Sequence, residues 1–198
     1  KMVGRIGIFI ITTVRGVVAQ DESGGGRRGP RGGTLPQEIG AWLHIGEDGL
    51  VTAYTGKVEV GQDIRTSLSQ AVAEELRAPL ASVRLVMGDT ELTPFDAGTF
   101  GSRTTPAMNP QLRKAAAAAR ELLIDLAADQ MKVERASLVV AAGRITHPST
   151  NQSLGFGQLS KGQKLMKAIG ESALTTTPEK WEVAGKSIPK VSGRAIVT

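Results

Sequence analysis

The chain has 198 residues, no cysteine, 24 glycines and only 4% aromatic side chains, and its formal net charge is +5. That length can bury the core of one ordinary domain, built from small and aliphatic side chains, while the lack of cysteine excludes disulfides, thiolate zinc sites and cysteine-ligated iron–sulfur clusters. Between Lys1 and Gly33 six basic side chains (Lys1, Arg5, Arg15, Arg27, Arg28, Arg31) stand against two acidic ones (Asp21, Glu22), so +4 of the excess belongs to an N-terminal arm, and the near-neutral remainder argues against a nucleic-acid-binding face on the folded part.

The arm opens with "KMVGRIGIFIITTVRGVVAQ", residues 1–20. Two basic residues lead into an apolar stretch, Ile6 to Val14, and then into a small-residue end. The pattern reads either as the remnant of an export signal or as a docking arm. It is too short to span a bilayer as a helix. The first reading carries a periplasmic or membrane-associated expectation and the second allows a cytoplasmic one. Residues 21–38, dense in Gly, Arg and Pro, cannot bury enough apolar surface to offset chain ordering and read as a linker. They lack the interleaved aromatics of a nucleic-acid-binding segment.

Folded structure is expected from Ile39. "AWLHIGEDGLVTAYTGKVEV" alternates apolar and polar side chains on both sides of Glu47-Asp48-Gly49 and predicts two antiparallel strands joined by a turn. His44, alone in the first strand, reads as structural. The chain then reaches Gly61-Gln62-Asp63, ahead of Ile64, Leu68, Val72 and Leu76 at helical spacing with Ala71 beside them, and Pro79 closes that pattern. Asp63 is placed to cap the helix. Glu74 and Glu75 face about 100° apart on a helix and read as solvated. The Gly-Gln-Asp corner either holds an anionic group on free N–H groups at the helix start or is a plain turn.

Val83 to Met87 predicts a third strand, followed by a long loop containing "GTFGSRTTPAMNP". Asn109-Pro110 marks a helix start, and "QLRKAAAAARELLIDLAADQMK" places Leu112, Ala116, Ala119, Leu123 and Leu126 along one face, with an alanine run suited to close packing on a sheet. Ser102, Thr104, Thr105, Arg103 and the local N–H groups can satisfy phosphate oxygens or serve as an ordinary loop. Neither loop is a Walker motif, and the later "GFG" lacks dinucleotide spacing. Towards the end, "AAGRITHPSTNQSLGFGQLSKG" predicts a hairpin and a short helix, with His147 a turn residue and Phe156 and Trp181 packing residues. The expected fold is α/β: a small mixed or antiparallel sheet covered by two helices, with an extended N-terminal arm.

The ordered set "GKVEVGQDIRTSLSQAVAEEL", "VRLVMGDTELTP" and "GTFGSRTTPAMNPQLRKAAAAARELL" resembles the molybdopterin-binding subunit of molybdenum hydroxylases, the xanthine oxidase and aldehyde oxidase superfamily, in its isoquinoline oxidoreductase and membrane-associated aldehyde dehydrogenase types. The resemblance covers residues 39–130, with a weaker likeness to the end. It implies the N-terminal portion of a larger catalytic subunit: residues 39–160 form the cofactor-binding portion and 161–198 a connector towards a following domain. It also implies a molybdenum–molybdopterin cofactor in its cytosine dinucleotide form, met by Gly61, Gln62, Gly101, Ser102, Arg103, Thr104 and Thr105. Where the family's turn is Gly-Gln-Gly, this chain has Asp63.

The implied reaction is hydroxylation of an aldehyde or N-heterocycle with oxygen from water. The family's glutamate base has no matched motif here, so neither Glu47 nor Glu171 takes that role, and no metal ligand is assigned. Implied partners are the remaining molybdenum-binding polypeptide, an iron–sulfur subunit and a cytochrome c subunit, which hold the iron–sulfur or haem centres. The second functional reading is a noncatalytic assembly module whose basic arm docks on a partner protein.

Overall fold

The computed structural model describes residues 35–170 and 173–197. The arm, most of the linker and Glu171 lie outside them. Strands β1 (Leu43–Ile45) and β2 (Val51–Thr55) pair antiparallel, with Leu43 opposite Ala53 and Ile45 opposite Val51. Their alternation turns Leu43, Ile45, Val51 and Ala53 into the core. Strand β3 (Val83–Met87) lies parallel to β2, giving a mixed sheet in the order β1-β2-β3. A parallel pair needs a crossover connection, and helix α1 (Ile64–Leu76) supplies it.

Ile64, Leu68, Val72 and Leu76 are buried as their spacing predicts. Arg77 ends α1 in the left-handed region at φ 55°, with its N–H on the carbonyls of Ala73 and Glu74.

Helix α2 (Thr104–Met131) begins six residues before the predicted Asn109-Pro110 start, with Pro110 inside it. Pro106, in the first turn, needs no N–H there. Pro110 forfeits the bond to the Pro106 carbonyl, a cost of about 3 kcal/mol. Burial of Met108 and Leu112 on either side offsets it, at about 1.5–3 kcal/mol for each side chain. The five alanines from Ala115 to Ala119 are buried, and the helix that carries them packs chiefly on α1 rather than on the sheet expected for it.

Strands β4 (Val139–Ala141), β5 (Arg144–His147) and β6 (Gln152–Gly155) make a second, antiparallel sheet around the predicted hairpin. His147 closes its turn through Nδ1 and the Thr150 hydroxyl, 2.8 Å apart. Helix α3 (Phe156–Ser160) follows and buries Phe156. Trp181 packs under Arg113, whose guanidinium lies 5.1 Å from the ring centroid. A last short helix, α4, covers Gly193–Val197.

Glu74 and Glu75 are corrections to the solvated pair expected from sequence: they are 1% and 0% exposed. Glu74 Oε2 accepts the N–H groups of Glu182, Val183 and Ala184 at 2.9, 2.6 and 3.0 Å, and Arg77 donates to Oε1 at 2.8 Å. Glu75 accepts from the Thr176 N–H and hydroxyl and from Arg113, with Arg120 3.6 Å away. Their divergence of about 100° sends Glu74 to residues 182–184 and Glu75 to the space between Thr176 and α2. Burying charges is tolerable only with such full pairing.

Candidate functional site

The Gly61 turn and the head of α2 meet across a cleft of about 400 Å³. Gln62, Gly101, Ser102, Thr104 and Thr105 line it with Val60 and Phe100. Of the seven residues expected at the site, five therefore converge there. Gly61 and Arg103 flank that set without lining the cleft. Thr104 and Thr105, read from sequence as loop, form the first turn of α2. Val60 and Phe100 stand 74% and 62% exposed, giving the polar floor an apolar rim.

The two helix starts differ in what they leave open. At α1 the cap is not Asp63: that residue sits at φ 63° and makes no capping bond, its carboxylate instead accepting from the Thr66 hydroxyl at 2.5 Å. Glu59 does the capping. Its Oε1 accepts the N–H groups of Gly61 and Asp63 at 2.8 and 3.0 Å, and its Oε2 that of Arg65 at 3.0 Å. Burial alone would raise the Glu59 carboxyl, but the three N–H donors and the charge of Lys190 together hold it below its ordinary 4.5. A carboxylate already occupies the donors there, so the α1 corner is not an anion site. The head of α2 has no capping side chain on its N-cap residue and no acid in its first turn. Its N–H groups and the Ser102, Thr104 and Thr105 hydroxyls are the donor set that suits anionic oxygens.

The Gln62 amide is partly engaged, with Nε2 donating to the Val58 carbonyl at 2.9 Å and Oε1 accepting the Val60 N–H at 2.6 Å. One N–H and one lone pair remain for a ligand. Gly61 adopts φ +100°, and nothing lies within 4 Å of a Cβ placed on it, so a group can approach the backbone closely.

Behind the cleft, Lys57 Nζ donates to Asp96 Oδ1 at 2.7 Å and to the Gly98 carbonyl at 2.6 Å. Asp96 Oδ1 also accepts the Gly98 N–H at 2.8 Å, and the Thr99 hydroxyl oxygen accepts the Val58 N–H at 2.9 Å. A Cβ on Gly56 would fall 2.4 Å from Asp96 Cβ, so only glycine admits this contact. Sequence reasoning did not find Glu59, Lys57 or Asp96. Glu59 carried a local signal, an acid four residues before the turn's last residue, whereas Lys57 and Asp96 are 39 positions apart and carried none.

With the geometry in place, comparison with known proteins assigns the class. The chain matches the molybdopterin cofactor-binding domain over residues 3–191 and belongs to that family. It is 35% identical over 155 residues to one of the nicotinate dehydrogenase subunits of Pseudomonas putida, covering 78% of this chain and 13% of that protein. It is 33% identical over 125 residues to the beta chain of isoquinoline 1-oxidoreductase from Brevundimonas diminuta, covering 60% of this chain and 16% of that protein. The reconstituted CO dehydrogenase of Oligotropha carboxidovorans superposes with a TM-score of 0.53 at 26% identity, over 60% of this chain and 15% of that one. The chain thus spans 13% of the length of the first of these relatives.

Proposed function

We propose that this chain supplies one wall of the molybdopterin site of a molybdenum hydroxylase acting on aldehydes or N-heterocycles. The observation that carries the reading is the convergence of Gln62 with Gly101, Ser102, Thr104 and Thr105, distant in sequence, on one cleft. The donor set fits the group. Ser102, Thr104, Thr105 and the head of α2 would hold its anionic oxygens, Arg103 would add charge at the edge, Gly61 would let the backbone approach and the Gln62 amide would meet the pterin. We assign the cytosine dinucleotide form to it. When bound, the cofactor supplies the two-electron acceptor for a hydroxylation that takes its oxygen from water.

Residues 39–160 are the cofactor-binding portion in this reading, and 161–198 lead towards a following domain. The exposed Val60 and Phe100 rim suits cover by the remaining molybdenum-binding polypeptide, which would also carry the catalytic base. An iron–sulfur subunit and a cytochrome c subunit would take the electrons, since a chain without cysteine cannot hold an iron–sulfur cluster on thiolates. The signal-like residues 1–20 support a periplasmic or membrane-associated site of action. Molybdenum and pterin analysis of the purified assembly tests the proposal, with stoichiometric cofactor expected. Gln62→Ala should lower retention by about 1.5–3 kcal/mol, the contribution of one hydrogen bond to a charged group. An assembly devoid of cofactor would leave the noncatalytic module as the better reading.

A further inference from the structure

Thr66, Gln70 and Glu74 recur every four residues on α1 and are 4%, 7% and 1% exposed. Such spacing makes one stripe along the helix. It is polar, yet it is buried because the C-terminal segment runs along it antiparallel. Glu74 takes the N–H groups of residues 182–184. Gln70 Nε2 donates to the carbonyls of Val183 and Lys186 at 2.8 and 2.9 Å. Thr66 Oγ1 accepts the Val191 N–H at 3.1 Å while donating to Asp63. At the end of this ladder Lys190 Nζ donates to the Gly61 carbonyl at 3.1 Å.

We propose that residues 173–191 are a strap that sets the shape of the Gly61–Asp63 turn, with Lys190 as its positioning residue; the consequence for cofactor rests on the reading of the cleft given above. Gly61 and Gln62 are exposed, and nothing lies within 4 Å of a Cβ placed on Gly61. Hydrogen bonds are therefore the main restraint on the shape of the turn there. Glu59 grips the N–H groups of Gly61 and Asp63, Lys190 grips the Gly61 carbonyl, and Thr66, itself tied to Val191, holds the Asp63 carboxylate. Two consecutive strap residues therefore reach both ends of the turn. The strap's own position is fixed by Gln70 and Glu74, one and two turns further along α1 than Thr66, and by Glu75 on Thr176. Lys190 acts through the backbone of Gly61 rather than on substrate.

The test uses the full-length protein in its native assembly, with Lys190→Met, Lys190→Arg and Glu74→Gln. Lys190 is exposed, so its replacement removes no core packing. Amide hydrogen exchange of residues 61–65 should quicken about three- to fivefold in Lys190→Met, the scale of an exposed charged contact, with residues 68–76 unchanged. Lys190→Arg should restore the slow rate. Glu74→Gln should quicken exchange at 182–184 and also at 61–65, although Lys190 is intact. Unaltered exchange at 61–65 in Lys190→Met, or no rescue by arginine, overturns the strap. Cofactor content, measured in parallel, should fall in Lys190→Met and recover in Lys190→Arg. Absence of cofactor from every sample would refute the proposed function while leaving the exchange result to judge the strap.

Discussion

The Gly61–Asp63 turn and the loop over residues 94–102 border the same cleft, but one is held by mostly exposed hydrogen bonds and the other is anchored by a largely buried ion pair. Lys57 and Asp96 side chains are 10% and 7% exposed, and Gly56 is shaped to let Asp96 close upon it. Of the turn's bonds, those between Glu59 and Gly61, Gln62 and Val58, and Lys190 and Gly61 lie at the surface, and those from Asp63 and Arg65 to Glu59 are half-buried. Such bonds contribute about 0.5–1.5 kcal/mol each, or about 1.5–3 kcal/mol where one partner is charged, whereas removing one partner of a buried pair costs about 3–5 kcal/mol. The loop wall is therefore preset by the fold. The turn wall is adjustable, and its adjustment is governed by residues outside the cleft.

The largest break in this contrast comes from Lys57→Met. It leaves the Asp96 carboxylate with the Gly98 N–H but no countercharge and frees the Gly98 carbonyl, so we expect a loss of about 3–5 kcal/mol in denaturant unfolding and a loosened 94–102 loop. A loss under about 1 kcal/mol would mean that the pair is more solvated than its burial indicates.

Acid sharpens the contrast from the other side. The Glu59 carboxyl is held below its ordinary 4.5 by the donors of the turn and by Lys190, against the upward pull of burial. Its contribution is then fully present above that ordinary value and is lost as pH falls through the lower folded value. Glu74 has the same sign: burial raises its carboxyl, and the N–H groups of 182–184 with Arg77 outweigh it. Exchange at residues 61–65, corrected for intrinsic rates, should accelerate as pH drops below 4.5. Glu59→Gln should already be fast at neutral pH and should lose much of that dependence; a profile identical to wild type would remove Glu59 from the account.

Asp63→Gly is the smallest expected change. Glycine removes the strain of a side chain at φ 63°, about 1–2 kcal/mol, but deletes the bond to Thr66, about 0.5–1.5 kcal/mol, and adds about 0.5–1 kcal/mol of chain entropy to be lost on folding, so the opposing contributions nearly cancel. Thermal unfolding should shift by less than about 0.5 kcal/mol equivalent. A loss above about 1.5 kcal/mol would show that the Asp63 carboxylate carries more of the turn than Glu59 leaves to it.

From the sequence by itself came the elements whose physics is local. The alternation around Glu47-Asp48-Gly49 specified β1 and β2, the four-residue recurrence from Ile64 to Leu76 specified α1, and the loops now lining the cleft were legible as donor-rich segments and through their resemblance to a known family. The start of α2 falls earlier than Asn109-Pro110, a sound local start signal, because the burial of Thr104 and Met108 ahead of it overrides that signal. Asp63 met the composition rule for a cap, but the left-handed backbone at that position turned its carboxylate to Thr66. Tertiary structure alone decided the fate of the charges. Glu74, Glu75, Lys57 and Asp96 look like ordinary surface residues in sequence, because what makes a charge buried is a partner brought from tens of positions away, and periodicity within one segment holds no information about that partner.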